Sequence, residues 1–350
     1  MQSNVLILTY WSFDDPLIQT YTLPYLRIIR KHLAPNERLV LFTLEKQTPG
    51  HTDVARINKA LHPAGIEWIH GRYFPFGFRA AFEWVSLLTR LRVQIRRLDI
   101  GTLHCWGTPA GAIGYLLSVL TGTRLIVDSF EPHAEAMVEN GTWSRTGLAF
   151  RLLFAMEKRQ TRRADFLIAA NAGMHDYVVK KFGTTPRRLL SKPACVDLEQ
   201  FQPAKGKDTV LLNELGLNGK RVAVYAGKLG GIYLDREVFD FLKVAHDRWG
   251  DRFGALLLTG HSEAEISSFC RAAGLARSVV ITRFVPHHEV PRYLALADFA
   301  LTPVKPVPTK RYCTPVKDGE YWAMGLPVVI PKGISDDSDI IQAERIGAVL

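Results

Sequence analysis

Two charged residues three positions apart, Lys317 and Glu320, stand in the run TPVKDGEYWAMGLPVV, whose pattern is loop, short helix, tight turn and strand. Gly325 reads as the residue just past the helix, since glycine alone takes left-handed backbone angles freely, and Pro327 stops the helix from continuing. Lys317 and Glu320 then share one face of the first turn, beside backbone N–H groups that lack intrahelical partners and attract anions. A carboxylate accepts two hydroxyl hydrogen bonds at once, so a ligand carrying phosphates and hydroxyls suits this spot. The competing reading is a glutamate that only stabilises the helix dipole, worth under about 1 kcal/mol.

A second candidate lies upstream in YAGKLGGIYLD. Gly227, Gly230 and Gly231 let the backbone come close to a ligand, and Lys228 supplies a positive charge. Neither GxxxxGK[ST] nor GxGxxG is present, so Lys228 reads as a phosphate contact or as a solvated lysine in a glycine turn. His287 and His288 are adjacent and point in different directions, which makes a poor metal pair and suggests a surface loop. Cys105, Cys195, Cys270 and Cys313 form no CxxC pair, so neither a zinc site nor a disulfide framework is indicated, and a reducing cytoplasm is the natural compartment.

The elements that must position these groups alternate along the chain. Apolar runs such as VLILTY (residues 5–10), RLVLFTLE (38–45), TLHCWG (102–107) and RLIVDS (124–129) are separated by helix-like segments or turns. After a polar, proline-containing linker around residues 195–208 the rhythm restarts with RVAVYAG, GALLLTG, VVITRFV, FALTP, PVVIP and IGAVL. That alternation predicts parallel sheets with helices on both faces, here in two Rossmann-like domains. Ligands of such sheets bind outside the carboxyl ends of the strands, where both glycine loop and charged helix fall.

The 350 residues, 47% hydrophobic and 22% charged, belong to an ordinary globular chain with ample core. The net charge of +10 is uneven: residues 1–200 carry 25 Lys/Arg against 17 Asp/Glu. No nucleic-acid-binding signature accompanies it, and no segment has the ~20 apolar residues of a membrane span. The segment from Phe74 to Leu98 places aromatic and aliphatic residues at helical spacing among Arg79, Arg90, Arg92, Arg96 and Arg97. It reads as a helix lying on an anionic bilayer, or as a domain helix with its arginines in water.

YAGKLGG, RFVPHHEVPRYLALADFALTP and above all P-x-K-x-x-E-Y-x-A-x-G-x-P-V (Pro315 to Val328) together resemble the donor half of family 4 glycosyltransferases. LILTYWSFDDPLIQTYTLPYLRIIRKHL and EKRQTRRADFLIAANAGMHDYVVKKFG are similar to the acceptor half, so the resemblance covers essentially the whole chain. It implies an α/β GT-B fold of two facing Rossmann-like domains with an interdomain cleft. Residues 1–203 would bind the acceptor and residues 204–350 the nucleotide-sugar donor, the second domain ending before the helix that commonly crosses back, as a fragment would. It further implies retaining, metal-independent transfer of a sugar from a nucleotide-diphosphate sugar, with no separate cofactor. The expected role is in surface polysaccharide or lipid-linked oligosaccharide synthesis, in the cytoplasm and at the inner face of the membrane. A nucleotide-sugar epimerase of the same architecture, or a catalytically silent nucleotide-sugar-binding protein, is the alternative.

Carried over by residue, the resemblance implies that Glu320 accepts the donor's ribose hydroxyls and that Lys228, beside Gly227, neutralises the diphosphate as charge develops on it. Lys317 assists there or contacts the sugar, and Arg283 and Phe284 wall the base pocket. Asp128, Glu131 and His133 are the candidates for acceptor activation or sugar contact. His104 is expected to be a core histidine with a satisfied partner, and Asp14, Asp15 and Gln19 face the cleft without assigned roles. Two positions depart from the family: Tyr312 stands where many members have a second glutamate, and the basic residue usual a few positions after Lys228 is missing, with Arg236 the nearest candidate. Thr309, Lys310 and Arg311 supply replacement contacts or form an exposed loop.

Overall fold

The computed structural model describes residues 4–74 and 78–350; the side chains of residues 75–81, that of Arg79 among them, lie outside the description. The chain folds as two compact units, Met1–Lys192 and Pro193–Leu350. In the first, β1 (Asn4–Leu8), α1 (Leu23–His32), β2 (Leu39–Glu45), α2 (His51–Leu61) and β3 (Ile66–Arg72) alternate along the chain. They are followed by α3 (Phe78–Arg97), β4 (Ile100–Trp106), α4 (Thr108–Thr121), β5 (Arg124–Phe130), α5 (His133–Glu139) and α6 (Leu148–Arg163). β6 (Phe166–Ala169), α7 (Gly173–Phe182) and β7 (Leu189–Ser191) complete a parallel sheet ordered β3-β2-β1-β4-β5-β6-β7.

The second unit begins with α8 (Thr209–Glu214), β8 (Arg221–Ala226), α9 (Arg236–Trp249), β9 (Phe253–Leu258), α10 (Glu263–Ala272) and β10 (Val280–Arg283). α11 (Val290–Leu294), β11 (Phe299–Leu301), α12 (Val316–Ala323), β12 (Val328–Ile330), α13 (Asp337–Glu344) and β13 (Gly347–Val349) follow. Its parallel sheet runs β10-β9-β8-β11-β12-β13. In β8 and β9 the residues Val222, Val224, Leu256 and Leu258 enter one core while Ala223, Tyr225, Ala255 and Leu257 enter another. Both faces are therefore buried, which is why these strands read as unbroken apolar runs.

Each sheet reverses its winding once, between β1 and β4 and between β8 and β11. Crevices for ligands open at such switch points. In the second unit the loops that follow β8 and β11 are joined there: the Leu234 N–H donates to the Pro303 carbonyl at 2.7 Å and the Lys305 N–H to the Ile232 carbonyl at 3.1 Å. In the first, Trp11 lies over Gly107, where an added Cβ would stand 2.9 Å from the indole.

Residues 193–203, placed in the first domain by the sequence, pack with the second: Phe201 is buried in its core and Val196 lies against it. The polar residues of this segment hide one large aromatic anchor, and that anchor decides the side. β7 precedes the linker expected around residues 195–208 and is not among the apolar runs read from the sequence, because three residues before a Lys-Pro pair carry no readable alternation. In α3, Leu87, Leu91 and Ile95 are buried one turn apart, as in a domain helix. Phe82, Val85 and Val93 on the same helix are nonetheless 83%, 64% and 57% exposed, and Arg90, Arg96 and Arg97 are exposed with them.

Candidate functional site

In the second unit the carboxyl end of β8 and the first turns of α12 meet. Gly227, at φ 156°, follows β8, and the Lys317 side chain crosses directly over it: a Cβ there would lie 2.6 Å from the Lys317 Cε. The Lys317 Nζ reaches the Tyr233 Oη at 3.2 Å and lies 4.6 Å from the centre of that ring. Lys228 is exposed at the mouth of the same loop, whose Leu229 N–H donates to the His261 Nε2 at 3.0 Å. Glu320, one turn along α12 from Lys317, is 9% exposed, and its Oε1 accepts from the His287 Nε2 at 3.0 Å.

Four contacts hold α12 where it presents those two side chains. The buried Tyr321 accepts the Ala226 N–H through its Oη at 3.1 Å, fixing the helix to the end of β8. The Thr302 hydroxyl donates to the Asp318 carboxyl, beside which stands the carboxyl of Asp337 of α13. Gly319 packs on the Ala194 carbonyl and the Val196 side chain, 3.5 and 3.7 Å from where a Cβ would be. At the far end Gly325 takes φ 73° and turns the chain into β12, as its spacing before Pro327 predicts.

Asp318 and Asp337 are both buried. Burial pushes both carboxyls up, and in Asp337 the charge of Asp318 adds to it, so the pair retains a proton at pH values where exposed aspartates are ionised. The His287 imidazole is raised above its ordinary value by its hydrogen bond to Glu320, which outweighs partial burial.

The sequence-derived candidates of the first unit form two clusters at the carboxyl ends of its strands. Asp128, at the end of β5, is 2% exposed; its Oδ2 accepts from the Lys192 Nζ at 2.6 Å and lies 3.3 Å from the His104 Nε2. Burial alone would push this carboxyl up, but His104 and the Lys192 ammonium outweigh it and hold it below its usual value. The ammonium also stands 4.1 Å from the ring centre of Tyr25 and 4.5 Å from that of Trp106, a partly buried cation–π setting. His104 is thus a buried histidine with a partner, as expected. Next to Asp128, Ser129 adopts a left-handed φ of 51°, a strained conformation for a non-glycine residue.

Beyond that kink, the His133 Nδ1 and Glu131 Oε1 are 2.8 Å apart and both side chains are partly exposed. The buried Glu157 of α6 accepts the Ala134 N–H at 2.8 Å and so caps α5, the helix that His133 begins. Asp14, Asp15 and Gln19 serve local structure: Asp14 pairs with Arg56, Asp15 accepts the Leu17 N–H, and Gln19 donates to the Phe13 carbonyl.

Among the remaining candidates, Phe284 is 83% exposed above Gly260, an open platform at the end of β9, whereas the Arg283 guanidinium donates to the carbonyl of Thr282 in its own strand. Thr309, Lys310 and Arg311 belong to a short 3-10 turn, Pro308–Tyr312, with Thr309 buried. Arg236 lies in the first turn of α9, 4.0 Å from Asp240. Sequence reasoning missed three residues: His287, set aside as half of a poor metal pair; Tyr233; and Lys192. Only Tyr233 carried a usable signal, as an aromatic residue inside the glycine loop.

No protein-family model matches the chain. Among curated proteins it is similar to alpha-D-kanosaminyltransferase of Streptomyces kanamyceticus, 24% identical over 243 residues. That match takes in 65% of this chain and 60% of the relative, so the chain spans about three-fifths of the protein it matches. Among solved structures, the Anabaena protein HepE in complex with UDP-glucose superposes with a TM-score of 0.69 at 14% identity, over 99% of this chain and 85% of that one. Sucrose-phosphate synthase from Thermosynechococcus elongatus gives 0.69 at 14% identity, over 100% and 86%. At such identities the likeness establishes the fold, two parallel-sheet Rossmann-like domains of the GT-B type.

Proposed function

We propose that the chain is a glycosyltransferase that moves a sugar, with retention and without a divalent metal, from a nucleotide-diphosphate sugar to a glycan or lipid-linked acceptor. The observation that carries this reading is the junction of β8 and α12, where one ammonium crosses a side-chain-free glycine and a buried carboxylate stands one helical turn away. Lys317 and Lys228 suit a diphosphate, Glu320 a ribose diol and Phe284 the face of a base. The likeness to a kanosaminyltransferase and to a protein solved with UDP-glucose supports the same ligand class.

In this reading the acceptor hydroxyl attacks the anomeric carbon on the face the phosphate leaves, and the departing phosphate oxygen takes the acceptor proton. Lysine charge offsets the negative charge that develops on the diphosphate. His133, held by Glu131, contacts the sugar or acceptor, and Asp128 holds Lys192 in place. Tyr312 leaves the sugar end of the donor without the second carboxylate.

Incubation with a panel of nucleotide sugars tests the proposal. Slow release of nucleoside diphosphate is expected; sugar isomerisation would mark an epimerase instead, and binding without turnover a silent protein. Glu320→Gln is expected to weaken nucleotide binding by about 1 to 3 kcal/mol, the cost of spoiling charged hydrogen bonds. Calorimetric titration that finds the affinity unchanged would remove Glu320 from the site.

The acceptor side of the reading includes an anionic membrane surface. Exposed Phe82, Val85 and Val93 on α3, flanked by Arg90, Arg96 and Arg97, support it, since apolar side chains rimmed by cations suit an acidic bilayer. Among the described residues no helix is long and apolar enough to cross a membrane, so contact would be peripheral. The protein is expected to float with vesicles containing anionic lipid and not with neutral ones, and Arg90→Glu with Arg97→Glu to abolish flotation. Failure to float with either vesicle sinks the membrane reading.

A further inference from the structure

The carboxylate assigned to the ribose is not alone in its pocket. Its Oε1 accepts from the His287 Nε2 at 3.0 Å. His287 opens the short turn that precedes α11 and is gripped from the other side: the Gln200 Nε2 donates to the His287 carbonyl at 3.2 Å and lies 3.4 Å from its Nδ1. The buried Phe201 ring lies 5.6 Å from the imidazole. All the partners are consistent with one arrangement, in which the ring N–H at Nε2 points to Glu320 and Nδ1 accepts from the Gln200 amide.

A carboxylate that must meet a vicinal diol needs a fixed plane. Left to itself the terminal torsion of glutamate is broad, so one oxygen has to be pinned before the other can be aimed. We infer that His287 is the positioning residue for the nucleotide-binding carboxylate, pinning one oxygen of Glu320 so that the other is presented to a ribose diol, with Gln200 of the connecting segment holding His287 in turn. The inference rests on the nucleotide reading above and goes beyond it, because it assigns His287 and Gln200 and makes residues 193–203 part of the site. His287 touches no reacting atom here and acts through Glu320.

The test compares ribonucleoside 5′-diphosphates (UDP, GDP, ADP, CDP) with their 2′,3′-dideoxy counterparts. The wild-type chain is expected to prefer the ribose form of the base it binds by at least tenfold. His287→Ala is expected to cut that preference at least threefold while leaving dideoxy affinity nearly unchanged; His287→Gln, whose amide nitrogen occupies the place of Nε2, should retain it. Equal losses on both ligand series, or an unchanged preference, overturn the inference and leave the nucleotide reading standing. Absence of ribose preference in the wild type overturns both. A ligand-free measurement adds a second readout: the NMR titration midpoint of His287 is expected to fall in Glu320→Gln, and a midpoint that does not move shows that the contact is not made.

Discussion

Glu157→Gln is expected to lose stability against the wild type at pH 5 and to gain on it steadily towards pH 8, with a relative change of roughly 2 to 4 kcal/mol across that range. Burial, aided by the charges of Glu131 and Glu135, pushes the Glu157 carboxyl up to about 8 despite the hydrogen bond from Ala134. Its folded value therefore stands above its unfolded one. Between the two, the folded chain holds a proton that the unfolded chain has released, so this contribution is complete at low pH and is lost as pH rises through the folded value. Glutamine keeps an oxygen for the Ala134 N–H and removes the titration. Asp318 and Asp337 are raised as well, as is His287, so the wild-type protein as a whole should weaken from mildly acid to mildly alkaline pH. Denaturant unfolding at pH 5, 6.5 and 8 measures the difference, and parallel pH slopes for variant and wild type would show that Glu157 does not stay protonated in the fold.

What the sequence made legible follows from distance along the chain. The central strands β1, β2, β8 and β9 were readable because they are buried on both faces, and the end of α12 because Gly325 and Pro327 mark it within three residues. The placement of Lys317 and Glu320 on one turn came from the same local periodicity. His287 and Glu320 are 33 residues apart and Lys192 and Asp128 are 64 apart, and no period of 2 or 3.6 connects them. These pairs exist only because parallel crossovers return successive strand ends to one edge of the sheet, so residues far apart in sequence become neighbours there. The connecting segment was misassigned for a related reason. Its prolines and charges are what a linker shows, and the single buried Phe201 that ties it to the second unit is no stronger a local signal than any exposed aromatic residue.

Gly227→Ala is expected to reduce nucleoside diphosphate affinity about 10- to 100-fold, roughly 1.4 to 3 kcal/mol, with a smaller loss for the matching nucleoside. The added methyl would stand 2.6 Å from the Lys317 Cε and 2.8 Å from the Tyr225 Oη, well inside van der Waals contact. Tyr225 has little freedom to yield: it is fully buried and its hydroxyl donates to the Lys228 carbonyl. The long Lys317 side chain is the flexible partner, so it moves, giving up Tyr233 and carrying its ammonium away from the end of β8. The backbone angle adds to the cost, since φ 156° is a conformation that residues with a Cβ rarely adopt. Because the effect runs through Lys317, it should be strongly non-additive with Lys317→Ala: once the ammonium is gone, the methyl has far less left to displace. A double-mutant cycle on diphosphate binding decides the matter. Additive losses would mean that Gly227 matters for the fold of its own loop, and that Lys317 does not reach the ligand over it.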